Sequence, residues 1–193
     1  LVPFVYWRAR GRVPAALMPR LVGLFILGGL QGALGWYMVA SGLVDVPRVS
    51  PYRLAAHLGL AAVVFGGLVW TALDLLRPQP APALVPVSAR VRRLATAVLA
   101  LVLVVIVSGA FVAGTRAGFA FNTFPLMGGR VIPEGIFSAR PLWTNLFENI
   151  ATVQFDHRLL AGLLSLLIVV LWWQLSRPSR LVATRAAAHL LMG

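Results

Sequence analysis

Two histidines carry the most informative chemistry in this chain. His57 lies in Tyr52-Arg-Leu-Ala-Ala-His-Leu-Gly59 and His157 in Val153-Gln-Phe-Asp-His-Arg158, each one or two turns inside a long apolar run. A polar, metal-competent side chain is costly in hydrocarbon, so its presence there is a functional hypothesis by default. Imidazole is also the commonest metal ligand a protein has. Together these facts point to a membrane-embedded metal or haem site. A haem buried edge-on between helices needs an axial imidazole and cations near its propionates, a task suited to the planar fork of arginine.

The neighbours of each histidine sharpen both this reading and its rival. Arg53 precedes His57 by one helical turn and shares its face. Gly59, Ala61, Ala62, Gly66 and Gly67 follow, and would admit a flat macrocycle or a close helix. The rival is that His57 only hydrogen-bonds across helices while the glycines aid packing. His157 sits between Asp156 and Arg158. Adjacent helical residues point in different directions, so Asp156 is expected to pair with a loop group and Arg158 to meet an anionic substituent. The rival there is a charge cluster at a helix end. His189, near the start of the last apolar run, reads as interfacial. Gln31 is read as an interhelical hydrogen-bond donor or a cofactor contact, and Gly28 and Gly32 form a small-xxx-small pair for close helix contact. Glu148 and Asn149 open the fourth apolar span, where acidic groups favour the helix N-terminus.

Composition fixes the setting of these residues. The chain is 60% hydrophobic and only 11% charged, with a mean hydropathy of +0.87. Soluble domains run nearer 25% charged, so this is an integral membrane protein. Cysteine is absent, which excludes disulfides, thiolate metal sites and thiol catalysis. The net charge of +12 comes from arginine alone, because no lysine occurs. Those arginines cluster in short connections between apolar spans, as membrane topology requires, and no patch remains for nucleic acid. Five carboxylates in all leave no paired acids, and no phosphate loop or serine triad is present.

Four complete spans are read, at about Arg20–Gly42, Tyr52–Leu76, Leu94–Gly114 and Glu148–Ser176, with partial helices at both ends. Each covers the roughly 30 Å hydrocarbon layer. The expected class is an all-α integral membrane protein built as a transmembrane helix bundle. Because the first residue is Leu1 and Gly193 falls inside a new apolar run, the chain is expected to be an internal piece of a longer protein. Connections 8–20, 77–93 and 177–185 carry Arg8, Arg10, Arg12, Arg20, Arg77, Arg90, Arg92, Arg93, Arg177, Arg180 and Arg185. Connections 43–51 and 115–147 carry Arg48, Arg116, Arg130 and Arg140, diluted by Asp45 and Glu134. The first set is therefore assigned to the cytoplasm, which puts both histidines near the outer ends of their helices. Residues 77–93 read as a Pro-rich linker between helical units 1–76 and 94–193. The long connection 115–147, rich in Phe and Trp, is expected to be an ordered cap over the outer helix ends.

Four strings resemble haem A synthases of the proteobacterial and mitochondrial-type branch. They are Gln31-Gly-Ala-Leu-Gly-Trp-Tyr-Met-Val-Ala-Ser-Gly-Leu43, Tyr52-Arg-Leu-Ala-Ala-His-Leu-Gly59, Phe121-Asn-Thr-Phe-Pro-Leu-Met-Gly-Gly129 and Val153-Gln-Phe-Asp-His-Arg158. The resemblance covers nearly the whole chain in order. It implies an eight-helix protein of two pseudo-symmetric four-helix bundles, in the bacterial inner membrane, with haem sites toward the outer side. It also implies oxidation of the C8 methyl of haem O to the formyl group of haem A, for cytochrome oxidase assembly. On that pattern His57, with Arg53, would meet the substrate haem O. His157, with Arg158, would hold a resident haem b. The proposed catalytic glutamate would precede Leu1, and a further haem-ligating histidine would follow Gly193, so the isolated segment is expected to be inactive. Implied partners are the lipid bilayer, haem O, an electron donor of unassigned identity, haem O synthase and cytochrome oxidase assembly factors. Two rival functions remain open at this point: a b-type membrane electron carrier that leaves haem O unchanged, and a transporter or assembly factor whose histidines only hydrogen-bond.

Overall fold

The structure is a computed structural model that describes residues 2–40, 49–77 and 88–176. Its elements in chain order are α1 (Val2–Ala9), α2 (Met18–Ala40), α3 (Pro51–Leu76), α4 (Ala89–Thr115), a single turn α5 (Ala117–Ala120) and α6 (Ile150–Leu175). Short 3-10 turns precede α2 and α6, at Ala15–Leu17 and Leu142–Leu146. No extended strand forms among the described residues. Arg48, Asp45, residues 78–87 of the linker, Arg177, Arg180, Arg185 and His189 lie outside the described residues.

Helices α2, α3, α4 and α6 are each long and apolar enough to cross a membrane. At 26 residues, α3 and α6 are about 39 Å long. Large apolar side chains point outward along them, among them Trp36, Phe65, Trp70, Leu76 and Trp172, all more than half exposed. Water would not tolerate such surfaces, whereas lipid is their natural solvent. This is an all-α, multi-pass membrane protein.

Local chemistry sets the helix ends. The Ser88 hydroxyl accepts from the Val91 amide, so α4 begins at Ala89 rather than at Leu94, where sequence reading put it. Arg90, Arg92 and Arg93 thus lie in its first turns, and long arginine stems can reach headgroups from there. Asn149, not Glu148, caps α6, with its Oδ1 accepting from the Thr152 amide at 3.1 Å. Glu148 instead accepts a 2.7 Å hydrogen bond from the Tyr52 hydroxyl at the start of α3.

The described spans pack in sequence, α2 on α3, α3 on α4 and α4 on α6. Their shared core contains Ala55, Ala110, Phe111 and Val153, backed by Leu54, Val107 and Phe147. Tyr52 and Phe147 flank Phe111 in an aromatic cluster with centroids 5.1 to 6.0 Å apart. Close backbone approach seals the same end, because a Cβ on Gly114 would stand 2.7 Å from the Pro51 Cα. The best-packed part of the molecule therefore surrounds the depth at which the histidines lie. The pair Gly28 and Gly32 makes no such approach, since a Cβ at either would meet nothing within 4 Å. Contacts between α2 and α3 close in at other glycines, Gly35 against His57 and Gly67 against Leu24.

The connection 115–147 is ordered, as expected. Asn145 is fully buried and holds it together, accepting from the Ala139 amide and donating to the Ala139 and Leu142 carbonyls. Asn149 donates to Asn145 Oδ1, to Ser138 Oγ and to the Gly135 carbonyl, joining the loop to the start of α6. The Phe137 amide donates to the buried Thr152 hydroxyl. Replacing Asn145 by alanine is expected to loosen this loop, because each buried polar group left unmade costs about 1–3 kcal/mol. Faster cleavage of the loop by an externally added protease, with the spans intact, is the readout.

Candidate functional site

His57 and His157 each lie about two turns from the start of their helices, some 10 Å in. Each imidazole is half-buried against a glycine of the preceding span. A Cβ on Gly35 of α2 would come 3.1 Å from His57 Cε1, and a Cβ on Gly109 of α4 would come 3.2 Å from His157 Cε1. The two units thus seat their histidines in the same manner, α3 against α2 and α6 against α4. A methyl group at either glycine would force the ring to give way by a few tenths of an ångström.

The polar partners differ between the two seats. Gln31, one turn before Gly35, places its amide nitrogen 3.2 and 3.1 Å from the two ring nitrogens of His57 and donates to the His57 carbonyl at 3.1 Å. The interhelical role expected of Gln31 is therefore present, but Gln31 Oε1 is buried without a partner. At His157 the partner is Ser108, whose Oγ is 2.8 Å from Nδ1. The sequence reading did not single out Ser108. Its only signal was a hydroxyl directly before Gly109, in the most apolar of the four spans.

The arginines lie at the same end. The Arg53 guanidinium stacks over the Tyr37 ring at 5.0 Å, bridging α3 to α2. Arg158 turns toward the loop, where Nη2 donates to the Phe121 carbonyl at 2.8 Å and longer contacts reach Pro125 and Leu126. Phe124 flanks the same guanidinium at 5.8 Å. Among the described residues these neutral carbonyls take the place of the anionic partner expected for Arg158. A guanidinium has five donors, so they do not exhaust it.

Asp156 departs from expectation. No loop group pairs with it among the described residues. It faces an open cavity of about 470 Å³ between α4 and α6, lined by Leu103, Val104, Val107, Phe111 and Val153.

The donor set favours one kind of metal site. No group of three or more His, Cys, Asp or Glu converges among the described residues, so a bare cation finds no ligand cage there. A porphyrin brings four nitrogens of its own and asks the protein only for axial ligands. Single imidazoles, each given room by a glycine and held at membrane depth, fit that demand.

Sequence comparison agrees with the geometry. The family of COX15-CtaA, cytochrome oxidase assembly protein, matches residues 1–193. A heme A synthase of Parvibaculum lavamentivorans is 54% identical over 172 residues, 89% of this chain and 49% of the relative. One from Rhodospirillum centenum is 53% identical over 174 residues, 90% of this chain and 46% of the relative. Heme A synthase COX15 of Arabidopsis thaliana is 49% identical over 181 residues, 89% of this chain and 40% of the relative. The chain spans about half the length of the curated relatives it matches. No solved structure matches it. With two histidines seated alike on successive helix pairs and a family match from end to end, this chain belongs to the cytochrome oxidase assembly proteins of the COX15-CtaA family.

Proposed function

We propose that this chain is part of a haem A synthase, which oxidises the C8 methyl of haem O to the formyl group of haem A. The observation that carries the reading is the paired seating of His57 against Gly35 and His157 against Gly109, in a chain whose relatives bear that name. His157 would hold a resident haem b by its iron, and His57 would meet the iron of substrate haem O. Arg53 and Arg158 lie at the same end as candidates for the propionates. Haem supplies redox chemistry that no side chain possesses. The residues described here bind, orient and exclude water: the glycines set imidazole depth, and the loop anchored by Asn145 lies against the start of α6.

On this reading the protein lies in the bacterial inner membrane with both haem sites toward the outer side, in accord with the arginine distribution. Two four-helix bundles would complete the sites, with α2–α3 in the first and α4–α6 in the second. Haem O synthase, cytochrome oxidase assembly factors and a separate electron donor are the expected partners. Conversion of a methyl to a formyl group is a four-electron oxidation and needs an oxidant from outside this chain; with dioxygen as that oxidant, the electron donor reduces its second oxygen atom to water.

The test uses the full-length protein in cells that make haem O. Chromatography of extracted haems is expected to show haem A at the expense of haem O. Haem O left unchanged beside a b-type spectrum would identify an electron carrier instead. A purified protein without any haem band would exclude both.

A further inference from the structure

The two histidine seats share a glycine and differ in what holds the ring. Relative to the glycine, Gln31 stands four residues before Gly35, where the second unit has Val105 before Gly109. Ser108 stands one residue before Gly109, where the first unit has Leu34 before Gly35. Among the described residues, each unit therefore places its polar side-chain contact to the imidazole at a different position of the helix.

The Ser108 hydroxyl lies 2.9 Å from the Val105 carbonyl and 2.8 Å from His157 Nδ1. Its single hydrogen has a partner in the Val105 carbonyl, which can only accept. With the hydrogen there, the Ser108 oxygen accepts from Nδ1–H, and in a neutral imidazole the lone pair then falls on Nε2. A charged imidazolium would escape this conclusion, but it is disfavoured at this depth. Gln31 imposes nothing comparable on His57. Its amide nitrogen is nearly equidistant from both ring nitrogens, whose in-plane lone pairs diverge, so it cannot lie along both. One of its two hydrogens goes to the His57 carbonyl, and the other does not select between the ring nitrogens.

From this difference we infer that Ser108 is a positioning residue. It fixes the Nδ1–H tautomer of His157 and makes that site a permanent, slowly exchanging haem seat, while His57, without a fixed tautomer, serves as the exchangeable one. The inference rests on the proposed assignment of His157 as a haem ligand. Hydrogen bonds to the non-ligating nitrogen of a metal-bound histidine commonly govern affinity in this way. They also make the ligand a better donor, which favours the oxidised iron.

The experiment uses purified full-length protein carrying Ser108→Ala, Ser108→Thr or His157→Ala. Haem loss is timed by transfer to an excess of apomyoglobin, and the midpoint potential of the b-type band is titrated. Ser108→Ala is expected to lose haem about 10–100 times faster and to show a higher midpoint potential. Ser108→Thr, which keeps the hydroxyl, is expected to restore both. Wild-type loss rate and potential in Ser108→Ala would overturn the inference, as would failure of threonine to rescue. His157→Ala separates the two levels. If it keeps its haem, the ligand assignment itself is wrong. If it loses haem while Ser108→Ala behaves as wild type, only the role of Ser108 falls.

Discussion

Replacing His157 by alanine in the full-length protein is expected to abolish the b-type absorption band after purification in mild detergent. The residue lies where nothing nearby can substitute for it. Gly109 faces the ring and offers no side chain. Ser108 offers only a neutral hydroxyl, within hydrogen-bond reach of the Val105 carbonyl, and Asp156 faces the apolar cavity between α4 and α6. Loss of a partner that merely orients a ligating histidine costs some 10–100-fold in metal affinity, so loss of the ligand itself should exceed about 100-fold. The fold should survive, because the packed core depends on Ala55, Ala110, Phe111 and Val153 rather than on the imidazole. Retention of the loop network around Asn145 gives an independent check, since protease resistance of residues 115–147 should be unchanged. Full haem content in this variant, with an unaltered spectrum, would remove His157 from the site.

Much of the architecture was legible because hydrocarbon is an undemanding solvent to predict for. A run of apolar residues long enough to span the bilayer has no alternative to a helix, since every backbone polar group must be satisfied within it. The four spans follow from that constraint alone. Their ends are harder, because charge marks the interface and not the last hydrogen bond. Arg90, Arg92 and Arg93 read as linker, yet the Ser88 cap winds them into α4. Glu148 looked like the acidic start of α6, but Asn149 caps the helix while Glu148 takes the Tyr52 hydroxyl.

The site divides in the same way. Polar residues stranded in apolar runs announce themselves, and so His57, His157 and Gln31 could be named from sequence. Which groups they face depends on how the helices are rotated. The Gly28 and Gly32 pair has small-xxx-small spacing, but spacing does not say which neighbour approaches, and in the fold Gly28 borders an open groove with Phe25 and Leu68 while a Cβ on Gly32 would meet nothing within 4 Å. Gly35, which seats His57, belongs to no such pair, and Gly109, which seats His157, is so spaced only with Ala113. Ser108 was hidden for a further reason. A serine inside a helix ordinarily bonds its own preceding carbonyl, and this one does so too. Only the fold reveals that its oxygen also lies 2.8 Å from an imidazole nitrogen.

The complementary substitution, His57→Ala, is expected to lower conversion of haem O to haem A by about 100-fold or more, on the scale set by misplacing a reacting group, while the resident b-type band stays intact. The separation follows from the packing. His57 is held by α2 through Gln31 and Gly35, whereas His157 is held by α4 through Ser108 and Gly109. No hydrogen bond joins the two seats among the described residues, and sites without shared partners respond nearly independently to substitution. The double variant should therefore combine both losses, one in turnover and one in haem content. Single-turnover assays with added haem O measure the first, and the reduced-minus-oxidised spectrum measures the second. Should His57→Ala strip the b-type haem as thoroughly as His157→Ala does, the two imidazoles serve one haem rather than two. The division of labour between α2–α3 and α4–α6 would then be wrong, even with the family assignment intact.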